Sequence, residues 1–355
     1  MVTVLCFIIA LVMFVHILRT WNSENKRNYK RINEIIYTLL LLAFGAYYPF
    51  LIVKIAGKNK GIVFDTAFEE FTFLGNLLIV GIMIGIFCWG LSAKIRTIRN
   101  PELLKGLNNY EVFCKEFLEE YPNRSKIKRR ITHVLPFAVV SLCVLVFYLF
   151  FRTLLGKTWS NYAIMFIIII GVDFALTFII QDLIRLFDFS YMPPNAIKMC
   201  KAGLTPEELN TFSSTAVMVF SFGPFLFVSF PVFFVVLLIT SVADAMASIG
   251  GILMGDKKHN FPKSTDKSIE GYISGFGFTF VCTVFGTLFS NFFGLSNWSL
   301  DIILLLSLTL SIAFVLIDII TSKLKLQDNY INPFVCGIVA ILTLIMLNIS
   351  IFYRY

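Results

Sequence analysis

Ten windows of 17 or more mostly apolar residues succeed one another along this 355-residue chain, near 1–18, 34–53, 71–93, 134–151, 161–180, 212–229, 231–253, 272–293, 301–320 and 333–353. A helix of that length spans the roughly 30 Å hydrocarbon layer of a bilayer. With 57% hydrophobic residues, 39 phenylalanines and a mean hydropathy of +0.81, the chain is too apolar for a soluble domain. The expected fold is all-α, a polytopic membrane bundle of about ten transmembrane helices. As one helix, the run from 212 to 253 would be about twice the membrane thickness, so a hairpin turning between Phe222-Gly223-Pro224 and Pro231 is expected there. Residues 1–18 lack a basic lead and a small-residue cleavage site, and read as a retained first helix.

Charge then orients the bundle. Loops on one side hold 24 of the 30 Lys and Arg residues, and the other side holds 6. The positive-inside rule places both termini outside and the polar stretch after residue 243 in the cytosol. A net charge of +8 distributed in this way suits anionic lipid head groups and phosphates, and calls for no nucleic acid. The seven cysteines show no CxxC or metal-like spacing and read as small core residues.

The segment from Asp244 to Gly275 carries four lysines, a histidine, a glutamate and five glycines between two apolar runs. Such polarity at a membrane boundary is costly unless something binds there. Lysines with glycines suit an anion, because small residues let backbone N–H groups approach phosphate oxygens while ammonium groups neutralise them. Pro262 breaks the preceding segment, and Thr265 or Asp266 is the expected N-cap of the next helix. That cap puts Lys267, Ser268 and Glu270 in a first turn whose free N–H donors favour phosphate. Glu270 would repel the same phosphate, which fits a role in holding Mg²⁺ or an attacking hydroxyl, or in capping the helix. Spacing alone equally fits a solvated basic loop ahead of a capped helix.

Other polar elements recur at the same ends of the apolar windows. The hydrophilic stretch Lys94 to Arg130 is expected to form an amphipathic connector helix opened by Pro101, lying on the inner leaflet. Arg129-Arg130-Ile131-Thr132-His133 joins it to the next span. Asp182 and Arg185, at i and i+3 on one helix face, can pair with each other. Asp173 lies nine residues earlier, about 13 Å deeper at the helical rise. A carboxylate at that depth has to face protein or water, either as a structural partner or to orient a hydroxyl. Thr205-Pro206-Glu207-Glu208 has the form of a capping box. Asp318 ends the ninth window, and Asp328-Asn329 precedes Pro333 at the start of the tenth. Asp328 and Asn329 pair a hard carboxylate with an amide oxygen, a combination that suits Mg²⁺.

The order Asp244, Ala247-Ser248, Gly251, Gly255, Lys258, Pro262, Lys267-Ser268, Glu270-Gly271 resembles the cytidine-nucleotide motif of the dolichol kinase family. That family includes phytol kinases and CTP-dependent diacylglycerol kinases and is distantly related to the CDP-diacylglycerol synthases. Arg-x-x-x-His ending at His133, the acidic-x-x-Arg of Asp182 and Arg185, and Asp328-Asn329 before Pro333 are similar to further family elements. Asp318 stands where the family usually has Glu, and Asn332 is a second departure.

The resemblance implies a core from residue 126 to 355, preceded by an N-terminal extension of three helices and a connector over residues 1–125. It implies a CTP-dependent kinase that phosphorylates a membrane lipid alcohol of polyprenol type, with Mg²⁺ as cofactor. Lys258, Lys267, Ser268, Gly250, Gly251, Gly255 and Gly271 are the expected nucleotide contacts, with Lys257 and Lys263 in support. Asp328, Asn329, Asp244 and Glu270 are the expected metal ligands. Asp244, Glu270, Asp328 and His133 are the expected catalytic groups, and Asp182, Arg185 and Asp173 are expected to bind or support the substrate. The site would face the cytosol, from the endoplasmic reticulum in a eukaryote or the cell membrane in a prokaryote. Phytol, geranylgeraniol and diacylglycerol remain alternative acceptors, and cytidylyl transfer an alternative reaction. An ion-coupled transporter is the non-enzymatic alternative; it would call for helices interrupted at mid-membrane or paired halves.

Overall fold

The computed structural model describes residues 1–22, 28–56, 66–120, 133–254, 259–262, 267–324 and 326–349. Among these residues there is no strand, only an isolated antiparallel bridge between Asn260 and Ser268. Eight stretches are long and apolar enough to cross a membrane: Val2–Arg19, Arg31–Ile55, Thr66–Arg99, Leu135–Phe187, Phe230–Met254, Ile269–Phe292, Leu300–Leu324 and Asp328–Met346. The protein is an all-α, multi-pass membrane protein.

Eight stretches differ from ten expected helices for two physical reasons. Leu135–Phe187 holds two of the expected helices, because Gly156 takes a positive φ of 58° that turns the chain back. The arms pack together, with the Phe147 and Phe166 rings 5.7 Å apart and those of Tyr148 and Trp159 5.3 Å apart. The window at 212–229 instead forms Ser214–Phe222 and Pro224–Val228, which end at an extended Ser229. The stretch from Ser214 to Val228 measures about 22 Å at the helical rise, short of a full crossing. Pro224 is the first residue of a short helix here, a position that suits its missing N–H, and the break of the expected hairpin falls at Ser229.

The chain divides into two compact units. The first comprises Met1–Phe50, Asp65–Arg129 and Ile168–Val219; the second comprises Leu51–Phe64, Arg130–Ile167 and Phe220–Tyr355. Ile168–Val219 thus joins the N-terminal segments and not the unit that holds Arg130–Ile167. In that unit the expected connector helix is split. A 3-10 turn, Pro101–Lys105, ends at Gly106, and a separate helix Tyr110–Glu120 begins where Asn109 Oδ1 accepts from the Glu111 and Val112 amides. Its Phe113 and Phe117 pack on Phe189, Met192, Ile197 and Cys200, so its apolar face is covered by protein.

The second unit is built on α1, Phe230–Leu238, in which every residue is buried. A helix apolar on all sides belongs in the middle of a bundle. It runs through a π turn, Ile239–Ala243, into α2, Asp244–Met254. Beyond these come α3, Ile269–Phe292, α4, Leu300–Leu324, and α5, Asp328–Met346. The buried face of α3 is made of small residues, Gly275, Thr279, Thr283, Gly286, Thr287 and Ser290 among them. Small side chains let helices approach closely where lipid offers no hydrophobic drive between them. A Cβ on Gly275 would stand 2.7 Å from the Phe314 ring of α4, and one on Gly286 2.8 Å from Leu238 of α1.

Candidate active site

Three helix ends of the second unit converge. Asp244 opens α2 directly after the π turn, where the Thr240 and Ser241 hydroxyls return to the carbonyls of Val236 (2.7 Å) and Leu237 (2.6 Å). Such a turn holds one residue more than an α-helical turn and re-aims the helix beyond it. Asp318 lies in the last two turns of α4, and Asp328 is the first residue of α5. One carboxylate oxygen from each of Asp244, Asp318 and Asp328 lies within 4.8 Å of the others. Asp244 is 8% exposed and Asp318 4%.

Lys267 closes the group. Its Nζ donates to Asp318 Oδ1 and, at 2.9 Å, to Asp328 Oδ2. Burial disfavours its charge, but the carboxylates of Asp328, Asp318 and Asp244 outweigh that penalty and hold the ammonium above the ordinary lysine range. Among the described residues three carboxylates surround the Lys267 ammonium. The hard, clustered oxygen donors fit a divalent cation.

The loop before α3 presents this lysine. The Phe261 amide donates to the Lys267 carbonyl (2.9 Å), and the Tyr272 hydroxyl to the Phe261 carbonyl (2.7 Å). The helix is capped one turn later than Thr265 or Asp266 would place it, and those two residues lie outside the described ones. Ser268 is the N-cap, its Oγ accepting from the Gly271 amide (3.2 Å), so Lys267 precedes the helix. A single turn of extended loop thereby aims the lysine at the ends of α4 and α5.

The other expected residues of this unit stand around the cluster or apart from it. Glu270 Oε1 lies 2.5 Å from His259 Nδ1, and Glu270 is not one of the three clustered carboxylates. Gly250, Gly251 and Gly271 serve the crossing of α2 and α3: a Cβ on Gly251 would meet Gly271 Cα at 3.5 Å, and one on Gly250 would strike Ser274 Oγ at 2.5 Å. The Asn329 carbonyl accepts from Ser221 Oγ (3.3 Å). His133 is buried ahead of helix Leu135–Val146. Gly255, Lys257, Lys258, Lys263, Arg129 and Arg130 lie outside the described residues.

Asp173, Asp182 and Arg185 belong to the first unit. Asp173 Oδ1 is buried with no hydrogen-bond partner among the described residues. Arg185 Nη2 donates to Asp182 Oδ1 (2.9 Å) and to the Thr211 carbonyl (2.7 Å), and Nη1 to the carbonyls of Glu208 (3.2 Å) and Leu209. Asp182 Oδ2 accepts from the Ser213 amide (2.6 Å) and hydroxyl (2.7 Å). These two residues pair with each other and fasten the segment 208–213. The expected capping box at Thr205 is present, with the Thr205 amide donating to Glu208 Oε2 (2.9 Å).

Two contacts escape a reading of the sequence. His259 carries no motif, and its pairing with Glu270 depends on how the loop closes. Asn332 stands out in the sequence only as a departure, although it lies four residues after Asp328 and so on the same helix face. Its Nδ2 lies 3.4 Å from Asp318 Oδ1.

The model of the cytidylyltransferase family matches residues 113–327, which is more than half of the chain. The match runs through Asp244, Lys267 and Asp318 and ends one residue before Asp328. No curated protein and no solved structure matches. A family match of that extent marks an enzyme that uses CTP, of a kind that typically involves a divalent metal. The chain belongs to the cytidylyltransferase family.

Proposed function

We propose that this protein is a CTP-dependent lipid kinase that passes the γ-phosphate of CTP to the hydroxyl of a membrane polyprenol of the dolichol type. The observation that carries the reading is Lys267 held on Asp318 and Asp328, with Asp244 beside them. Phosphoryl transfer needs mainly positioned cations for the phosphates and a carboxylate to take the alcohol proton. Both are gathered here at the ends of membrane helices, where a lipid alcohol can present its head.

In this reading Lys267, supported by Lys258, contacts the phosphates. Asp318 and Asp328, with Asp244, would hold Mg²⁺, which supplies charge neutralisation when bound. The hydroxyl oxygen attacks the γ-phosphorus, the bond to the β-phosphate oxygen breaks, CDP leaves, and the hydroxyl proton passes to a carboxylate. Asp244 is either that base or a ligand only. Glu270, engaged by His259, positions the loop that carries Lys267. In this reading the site faces the cytosol, where CTP is found.

A second reading has one observation in its favour, the family's own description. In it a lipid phosphate attacks the α-phosphorus and pyrophosphate leaves. Purified protein with Mg²⁺ is therefore incubated with α-labelled or γ-labelled CTP and a panel of dolichol, phytol, geranylgeraniol, diacylglycerol and phosphatidate. Label in the lipid from the γ position alone is expected. Label from the α position, on phosphatidate, replaces the kinase by a cytidylyltransferase, and no transfer with either label sinks both readings.

A further inference from the structure

We infer that Asn332 supplies a neutral fourth oxygen, its Oδ1, to the divalent cation held by Asp244, Asp318 and Asp328. The inference rests on the metal-binding role given to those three carboxylates above. Asn332 is 3% exposed. Its Nδ2 donates to Asp318 Oδ1, and its Oδ1 is buried without a hydrogen-bond partner among the described residues.

Flipping the amide would not resolve this, since it would set Oδ1 against the Asp318 carboxylate and lose the one hydrogen bond that the side chain makes. A buried amide oxygen with no donor is costly, and nearly all such groups in folded proteins find a partner. The partner it lacks has to be a donor or a cation. Asn332 stands one helical turn after Asp328 on α5, so both side chains leave the same face.

Asp318 is arranged to match. Lys267 and Asn332 both donate to its Oδ1, and its Oδ2 takes no hydrogen bond among the described residues. The amide thus fixes the carboxylate with one arm and presents an oxygen on the other. Carboxylates joined by an amide oxygen make an all-oxygen donor set, the kind that Mg²⁺ and Mn²⁺ prefer over Zn²⁺ or Cu⁺. Asp318 is shorter than the Glu expected at its position, and one of the side chains that donate to it, beside Lys267, is Asn332. The two departures from the family pattern are in contact, so they form one altered corner of the site.

The test is Mn²⁺ binding to the purified full-length protein in detergent, read by the loss of the free-ion electron paramagnetic resonance signal, with no nucleotide present. Wild type is expected to bind, and Asn332→Leu to bind at least about tenfold more weakly. Asn332→Asp, which keeps an oxygen in place but sets a like charge against Asp318, is expected to bind at least as tightly as wild type. Were Asn332 important only for its N–H to Asp318, the Asp variant would bind as poorly as Leu, and that result overturns the inference. Equal binding by Leu and wild type also overturns it while leaving the three-carboxylate site standing. A wild-type protein that takes up no Mn²⁺ removes the metal site of the proposed function together with the inference. If Asn332→Leu does not yield a monodisperse protein, the Asp variant decides alone: binding at least as tight as wild type supports the inference, and weaker binding overturns it.

Discussion

Arg185 and Lys267 meet buried carboxylates in opposite ways. Arg185, in the first unit, has a side chain with no solvent exposure, and its guanidinium is used up by Asp182 and the carbonyls of residues 208, 209 and 211. Asp182 in turn is filled by Ser213. Lys267, in the second unit, keeps 33% of its side chain exposed and faces three carboxylates, with an unpartnered amide oxygen at their edge. Among the described residues the first arrangement is balanced and closed, while the second gathers three carboxylates on one ammonium and leaves one amide acceptor unmet. Both arise from acidic and basic residues at helix ends, so charge at such a place says little about its use. What separates them is whether the donors and acceptors are all accounted for.

The contrast breaks most readily on stability. Arg185→Met leaves Asp182 buried without its cation and is expected to cost about 3–5 kcal/mol, measured as the unfolding midpoint in detergent. Lys267→Met, in a part-exposed and acid-rich site, is expected to shift that midpoint far less. If the two variants destabilise alike, the distinction between a closed pair and an open site fails.

Activity should divide the other way. Asp244→Asn is expected to lower label transfer from CTP about 10³-fold, near 4 kcal/mol of transition-state stabilisation. Lys267→Met should lower transfer about 10²-fold, and either variant retaining full activity while folding normally refutes the site. Arg185→Lys, compared at equal folded protein, sharpens the contrast if its activity per folded molecule stays at the wild-type level.

Smaller effects refine the picture. Ser268→Ala removes the cap that starts α3 and should cost about 1 kcal/mol, read by the same unfolding midpoint. Its activity should fall further than this loss of stability explains, because Lys267 is its neighbour. The weakest expected effect lies in the first unit, at the exposed pair of Lys94 and Asp188 (2.8 Å). Partial burial raises the Asp188 pKa, but hydrogen bonds from Lys94 and Ser190 outweigh it and leave the carboxyl below its usual value. A depressed folded-state pKa gives stability that is present above the ordinary carboxylate range and lost as the pH falls through the folded value. Lys94→Met should therefore flatten a shallow acid dependence below about pH 4, and an unchanged acid limb would show that the pair contributes nothing.

The bundle was legible because long apolar windows report membrane crossings directly. The exception at 212–229 is instructive. Its composition is that of a span, but nothing in hydropathy reveals that Ser229 leaves the helix and uses its own hydroxyl to cap the next one, at 3.4 Å from the Val232 amide. Gly106 similarly divides a helix that apolar periodicity alone would continue from Pro101. At the site, Asp244, Lys267 and Asp328 were readable as charges that a membrane boundary does not carry without a use. Gly250, Gly251 and Gly271 lie where two helices cross, and close approach of a phosphate and close approach of a second helix require the same missing Cβ. Glu270 pairs with His259, which is brought to it only by the folded loop. Asp182 and Arg185 showed their pairing in the i, i+3 spacing, but not the ring of carbonyls that completes it.

The π turn ahead of Asp244 has a consequence for how this sequence tolerates change. A helix with one surplus residue works like a timing offset between two shafts: the part before it and the part after it are deliberately out of phase. Winding Ile239 to Ala243 as regular α-helix would leave the span nearly as long and as oily as before, yet would swing everything downstream by about 100°. The carboxylate would then face a different quarter of the bundle.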